Sequence, residues 1–195
     1  MAGALKTEIE SLALLVALES ELLTVETIAM TVSRGLKSQR FAGYRRFRQK
    51  IDDLRALIVL IEERLPALVN RHGEPLKRQF EFLDLLLLTM IVHHYKEFSD
   101  ILSDSDAMPL GAHEIFSPDL HVLDDARERL SQPGYAERVD DGVLADMETA
   151  VAAMRRVLAR IRPLPDLSSA DPLPEAAPES PMADFAGTRT SPARH

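Results

Sequence analysis

The stretch LVALESELLTVETIAMTVSRGL, residues 15–36, decides the fold class of this chain. Its apolar residues recur at alternating steps of three and four, the spacing of one face of an α-helix. Acidic residues lie on the other sides and the end is basic, which suits the helix dipole. The stretch predicts a long amphipathic helix. Gly35 is either its stop or an interior glycine that costs about 1 kcal/mol. The apolar stripe comprises Leu15, Leu18, Leu22, Val25, Ala29, Val32 and Leu36.

A second stripe with the same spacing runs from Tyr44 to Leu68 and predicts a second long helix. We expect Pro66 to kink this helix near its end, and Gly73 to supply the left-handed turn that closes it. Pro75 then suits the first turn of a third helix. The stripe comprises Tyr44, Phe47, Ile51, Leu54, Ile58, Ile61, Leu65 and Leu68.

The third helix, about Pro75 to Leu102, contains the most apolar segment of the chain, which predicts a central position in a bundle. We expect a loop over residues 107–116. Ser117, Pro118 and Asp119 then resemble the cap and first turn of a short fourth helix through Leu130.

Pro133 and Gly134 interrupt the chain again before a fifth helix, from about Val139 to Arg162. Beyond it, Pro, Ala, Ser and acidic residues replace apolar ones. Such a segment buries too little apolar surface to offset the conformational entropy that it would lose on ordering. The sequence therefore predicts an all-α bundle of three long helices, a short helix and a closing helix over residues 1–162. Residues 163–195 are predicted to be a disordered tail.

The composition narrows the function classes. The 195 residues include no cysteine, which excludes disulfides, thiol catalysis and thiolate metal sites. The longest uncharged run, residues 85–95, is too short for a membrane helix. We expect a soluble intracellular protein without membrane contact. Nucleophile triads, phosphate-binding glycine loops and paired carboxylates are not recognisable, so we expect neither an enzyme nor a cofactor.

Charge is segregated along the chain, whose formal net charge is −8. Ser33 to Ile51, SRGLKSQRFAGYRRFRQKI, contains seven basic residues and no acid, whereas the other 16 Lys and Arg face all 31 Asp and Glu. An anionic partner, the protein's own acidic surface or a solvated patch would each account for this. The basic residues are Arg34, Lys37, Arg40, Arg45, Arg46, Arg48 and Lys50.

The aromatics of this stretch leave two interpretations open. Phe41 or Tyr44 could stack on an unpaired base while the basic side chains neutralise phosphates. Alternatively, Tyr44 and Phe47 begin the core of the second helix and the arginines are its solvated face. Phe41 lies outside the stripe and is less easily explained by packing. The candidate RNA- or anion-binding residues are Arg34, Lys37, Gln39, Arg40, Phe41, Arg45 and Arg46.

His93, His94 and Glu97 lie within helical reach of one another and suggest a metal. The di-iron bundle pattern requires Glu-x-x-His on two helices, and the chain contains no such spacing. We therefore expect a packed or capping histidine pair and no metal site.

The order of these features resembles a known family. The segment from Leu18 to Leu57, with Lys37, Gln39 and Arg40 at a basic cluster, looks like the core of the helical protein subunit of ribonuclease MRP and of nucleolus and neural progenitor proteins. The later QFEFLDLLLLTMIVHHYKEF is similar to that family's later helix. The resemblance covers about the first hundred residues.

The resemblance implies a non-catalytic subunit of a nuclear or nucleolar ribonucleoprotein that processes precursor ribosomal RNA. RNA would then contact Arg34 to Lys50, with Gln39 and Arg40 foremost. The competing hypothesis is a cytoplasmic helical adaptor that binds another protein, or its own subunit mate, through the basic stretch. The apolar faces of the first and fifth helices would extend such an interface.

Overall fold

The chain is an all-α bundle in this computed structural model, which describes residues 2–72, 74–105 and 107–165. Within these ranges, side chains are described for residues 9, 10, 12–66, 74–105 and 107–165. No strand occurs in the described ranges, and the predicted fold class is confirmed. The helices are α1 (Ala2–Lys37), α2 (Ala42–His72), α3 (Glu74–Ser103), α4 (Ala112–Leu130), α5 (Pro133–Ala136) and α6 (Asp141–Arg160). They belong to one compact unit that ends at Leu164.

Helices α1 and α2 confirm the two apolar stripes. Every residue of the first stripe is buried, and so is every residue of the second from Tyr44 to Ile61. Leu65 is partly buried against the same core, and the side chain of Leu68 lies outside the described residues. Because both stripes face inward, α1 packs along α2.

The connection between α1 and α2 is a Schellman motif, a helix ending in which two backbone N–H groups reach back to free carbonyls. The N–H of Arg40 donates to the carbonyl of Gly35 at 2.8 Å, and that of Gln39 to Leu36 at 2.9 Å. Gln39 has φ 57°, the left-handed conformation that glycine usually supplies here. Gly35 is an interior glycine, and a Cβ on it would lie 2.9 Å from the Arg40 carbonyl oxygen.

Helix α3 is the centre of the bundle, as its composition predicts. It begins at Glu74, so Pro75 lies in its first turn, and it packs against α1, α2, α4 and α6. Helix α2 continues through Pro66 as far as His72. The predicted turn at Gly73 falls outside the described residues.

Helix α4 begins six residues earlier than predicted. Gly111, with φ 77°, precedes its first residue, Ala112, and Pro118 lies inside the helix. The predicted loop is confirmed for residues 107–111 and wrong for residues 112–116, and the predicted cap at Ser117 is wrong. Ala112 and Phe116 are fully buried. Packing of these two side chains outweighs the backbone hydrogen bond that Pro118 cannot donate.

The end of the described chain contains two helices. Pro133 and Gly134 begin the one-turn helix α5, which the sequence pattern did not predict. Asp140 then caps α6 by accepting a hydrogen bond of 2.6 Å from the N–H of Gly142. The predicted disorder of residues 163–195 falls almost wholly outside the described residues and stays a prediction. Among the helices that are described, none has a stretch long and apolar enough to span a membrane.

Candidate interaction surface at the α1–α2 junction

Five cations of the basic stretch lie exposed around the turn that joins α1 to α2. Two belong to the last turn of α1, one follows the turn, and two lie in the first turns of α2. Within the described part of the chain, none of the five forms an ion pair with an acidic side chain. We call this set the basic junction: Arg34, Lys37, Arg40, Arg45 and Arg46.

The other two cations of the stretch serve the fold. Arg48 is partly buried and donates a hydrogen bond to the backbone carbonyl of Ile115, which ties α2 to α4. Lys50 pairs with Glu21 and ties α2 to α1. The charge segregation therefore has a structural explanation for these two residues, but not for the basic junction.

An open cleft of about 410 Å³ lies within the basic junction. Arg34 and Arg40 line it together with the hydroxyl-bearing Thr31 and Ser38 and the first residues of α2. Helix α2 has no acidic residue in its first turn, so nothing on the helix itself compensates the positive end of its dipole. The lining of the cleft is mostly apolar, and Arg34 and Arg40 are the side chains there that can meet a negatively charged group.

The aromatic residues of the stretch pack inward. The ring of Phe41 is only partly exposed and lies edge-on to Phe116, with ring centroids 6.2 Å apart. Tyr44 is 1% exposed and contacts Phe116 and Phe98. The sequence made Phe41 the aromatic less easily explained by packing, and its packing partner Phe116 lies in the part of α4 that was predicted to be a loop. Gln39 is exposed at the left-handed position of the turn.

A buried carboxyl group behind the basic junction was missed by the sequence reasoning. Asp119 is fully buried and accepts hydrogen bonds from the hydroxyls of Tyr44, at 2.5 Å, and Tyr95, at 3.2 Å. Burial raises the pKa of Asp119 to about 7, although both hydrogen bonds and the nearby Arg48 oppose the rise. Asp119 continues the apolar stripe of α4, and this position was the signal that could have identified it. The stripe comprises Ala112, Phe116, Asp119, Leu123, Ala126 and Leu130.

Asp119 has the pKa of a general acid or base but not the access. No solvent reaches it, and it does not line the cleft of the basic junction. Its two partners are tyrosines whose own pKa values burial raises well above 10. The arrangement joins α2, α3 and α4 and is structural.

A second buried carboxyl group ties α3 to the end of α4. Asp84, 1% exposed, accepts hydrogen bonds from Arg129 at 2.7 Å and from the hydroxyl of Tyr135. Arg129 also makes a two-pronged contact with Glu62 on α2, at 2.6 and 3.2 Å. Burial raises the pKa of Asp84, and its hydrogen-bonded partners oppose the rise.

The structure brings His93, His94 and Glu97 together, with one potential ligand atom from each lying within 4.8 Å of the others. His94 is buried, and its Nε2 lies 3.0 Å from a carboxylate oxygen of Glu26 on α1. Burial lowers the pKa of His94 despite this partner. The ring also stacks on Phe98, so the residue is integrated in the core contacts between α1 and α3.

Comparison with known proteins adds no relative: no family model, no curated protein and no solved structure matches this chain.

Proposed function

We propose that this chain is a non-catalytic helical interaction module that docks an acidic segment of a partner protein on its basic junction. The observation that carries the proposal is the set of five exposed cations without an ion-pair partner among the described residues. Two of them, Arg34 and Arg40, line a cleft large enough for carboxylate side chains. Complementary charge of this kind chiefly raises the association rate and fixes the orientation of the partner.

A short acidic peptide fits this surface better than RNA does. Recognition of single-stranded RNA usually includes stacking of bases on exposed aromatic rings, and Phe41 and Tyr44 pack inside the bundle. The chain is acidic overall, with 31 Asp and Glu against 23 Lys and Arg. A long polyanion that continued beyond the junction would meet this negative surface and be repelled. A short acidic segment would touch the junction alone.

The resemblance to the ribonuclease MRP subunit family stays a prediction. Lys37, Gln39 and Arg40, which carry it, lie next to one another at the turn after α1 and are accessible to either kind of partner. Binding of RNA is therefore a defined outcome of the test below.

The test is a fluorescence-anisotropy titration of the full chain against two probes of matched charge, a labelled glutamate-rich dodecapeptide and a labelled single-stranded RNA dodecamer. Arg45→Ala combined with Arg46→Ala removes two cations of the junction. The matched control is Arg155→Ala combined with Arg156→Ala, which removes two adjacent exposed arginines from α6.

We expect the peptide to bind, and its affinity to fall at least tenfold in the junction variant with little change in the control. Added salt should weaken binding to the wild-type chain more than binding to the junction variant. An equal loss of affinity in both variants would show that binding depends on net charge alone, and it would refute the proposed site. Binding of the RNA but not of the peptide would indicate that the partner is a nucleic acid and not a protein.

A further inference from the structure

Two histidines and a glutamate of α3 lie together beside α1 and α6. One potential metal-ligand atom from each of His93, His94 and Glu97 lies within 4.8 Å of the other two. At about 100° per residue, Glu97 falls between the two histidines around the helix axis. The di-iron pattern that the sequence lacks concerns a pair of metals, and a single ion does not require it.

These side chains suit a divalent ion of the zinc type. Imidazole nitrogen and carboxylate oxygen both bind zinc, and two histidines with one glutamate leave the fourth position of the tetrahedron for water. Ligand atoms of tetrahedral zinc are about 3.3 Å apart, so the three ligand atoms must approach one another by at most roughly 1.5 Å. His93 is exposed and Glu97 is partly exposed, so both can turn toward His94 without disturbing the core.

Glu26 of α1 holds the ring of His94 in place. A carboxylate oxygen of Glu26 lies 3.0 Å from Nε2 of His94, and the ring stacks on Phe98 with centroids 6.1 Å apart. Because a carboxylate only accepts hydrogen bonds, Nε2 carries the proton and the neutral ring keeps its lone pair on Nδ1. Nδ1 is therefore the nitrogen that remains for a metal.

Nδ1 of His94 is a buried polar atom, and it has no hydrogen-bond partner among the described residues. Since most buried polar atoms are hydrogen-bonded, the unpaired nitrogen requires an explanation. A histidine that binds a metal commonly donates its second ring N–H to a carboxylate, which is the relation between His94 and Glu26. A metal on Nδ1 would account for the environment of both ring nitrogens.

A cleft between α3 and the first turns of α6 gives an ion access to the cluster. It has a volume of about 310 Å³, and His93 lines it. Asp140 and Asp146 line it as well, and their carboxylates attract a cation. Lys96 offsets part of this charge, because its ammonium group lies 3.7 Å from the carboxylate of Asp146.

We infer that His93, Glu97 and Nδ1 of His94 bind one divalent ion of the zinc type. Glu26 is the positioning residue behind His94, so the site also strengthens the contact between α1 and α3. Because the ion binds the folded chain in preference to the unfolded chain, it raises the stability of the bundle. No residue of the basic junction takes part, and the site is therefore independent of the proposed docking of an acidic segment.

Isothermal titration calorimetry with zinc chloride tests the site in the full chain, prepared without an affinity tag and in a buffer that does not bind metals. His93→Ala and Glu97→Gln each remove one ligand from an accessible side chain, so the fold should tolerate both changes. The matched control is His121→Ala, which removes an exposed histidine of α4. Circular dichroism verifies that each variant is folded.

We expect one zinc ion per chain, with an affinity that falls at least tenfold in both ligand variants and less than twofold in the control. Zinc should also raise the Tm of the wild type more than that of Glu97→Gln. A wild-type chain without saturable binding up to about 100 µM zinc would overturn the inference. Equal affinities of the ligand variants and the wild type would also overturn it, because the ion would then be bound elsewhere.

NMR of the imidazole nitrogens tests the coordination through His94. Zinc should shift the resonance of Nδ1, whereas Nε2 should keep the resonance of a protonated nitrogen. A shift to zinc coordination at Nε2 would refute the proposed geometry. Glu26→Gln should lower the zinc affinity about tenfold, and an unchanged affinity would refute the positioning role of Glu26.

The double variant Arg45→Ala with Arg46→Ala separates this site from the basic junction. It should keep the zinc affinity of the wild type while it loses affinity for the acidic peptide. A failure of peptide binding alone would therefore leave the metal site standing, and a loss of zinc affinity in this variant would contradict the independence of the two sites.

Discussion

The hydroxyl of Tyr44 donates a 2.5 Å hydrogen bond to the Asp119 carboxyl group across 75 residues of sequence. Tyr44 begins the core stripe of α2, and Asp119 belongs to the core stripe of α4. The hydroxyl of Tyr95, on α3, donates to the other carboxyl oxygen at 3.2 Å. Three helices are therefore joined at one fully buried carboxyl group, whose protonation is coupled to folding.

Replacing Asp119 with Asn should flatten the dependence of stability on pH. Because the pKa of Asp119 is about 7 in the folded chain and 3.8 at its ordinary value, the folded state holds the proton more tightly. The stabilisation is complete below about pH 3.8 and is lost as pH rises through about 7. Its size is at most on the order of 4 kcal/mol.

Urea unfolding of the wild type and Asp119→Asn at pH 5 and pH 8 measures this coupling. The wild-type stability should fall more than that of the variant as pH increases. The comparison isolates Asp119 because the other titrating groups, including Asp84 and His94, are present in both proteins. Identical pH profiles would show that the carboxyl group does not titrate in this range.

Removing the hydroxyl of Tyr44 should lower the free energy of unfolding by about 1–3 kcal/mol, because a buried acceptor loses its shorter hydrogen bond. Tyr44→Phe keeps the ring and its contacts with Phe98 and Phe116. Tyr95→Phe, which removes the 3.2 Å bond, is the matched comparison and should cost less. Thermal and urea unfolding at pH 7 give both values, and a larger loss for Tyr95→Phe would contradict the ranking.

Arg129→Met should destabilise the bundle by about 3 kcal/mol. It leaves Asp84 buried without its cation and frees Glu62 at the same time. Arg127→Met, two residues away, removes an ion pair to Glu148 in which both side chains are at least half exposed. This control should change stability by no more than about 0.5 kcal/mol. Similar losses in the two variants would refute a special contribution from the buried pair.

Gln39→Gly should raise the free energy of unfolding by about 0.5–1 kcal/mol. The residue has φ 57°, and glycine reaches this conformation without the steric cost that a side chain adds. Gln49→Gly is the matched opposite, because it places glycine at an exposed site within α2 and should cost about 1 kcal/mol. Chemical unfolding of the two variants measures the change in the free energy of unfolding. A decrease in this free energy for Gln39→Gly would contradict the prediction.

The helices with long periodic stripes could be predicted because burial follows periodicity. Each predicted stripe lies on one face of its helix, and that face is the buried one, from Leu15 to Leu36 in α1 and from Tyr44 to Ile61 in α2. The start of α4 could not be predicted in this way. Ser117, Pro118 and Asp119 form a strong local signal for a helix start, and only the distant partners of Phe116 and Asp119 outweigh it.

The candidate site was predicted in part. Sequence identified the cations of the basic junction as candidates, but it could not supply the acceptor of Arg48, the carbonyl of Ile115, which is 67 residues away. It also could not show that Phe41 has a partner on α4.

Asp119 also fixes the axial position of α4. A displacement of α4 by one turn, about 5.4 Å, would take the carboxyl group away from both tyrosines and leave three buried polar groups unpaired. Interchangeable leucine side chains at the same place would tolerate such a slip. The carboxyl group therefore favours one register of α4 against its neighbours. Misassembled bundles with equally apolar cores would lack its hydrogen bonds and be less stable.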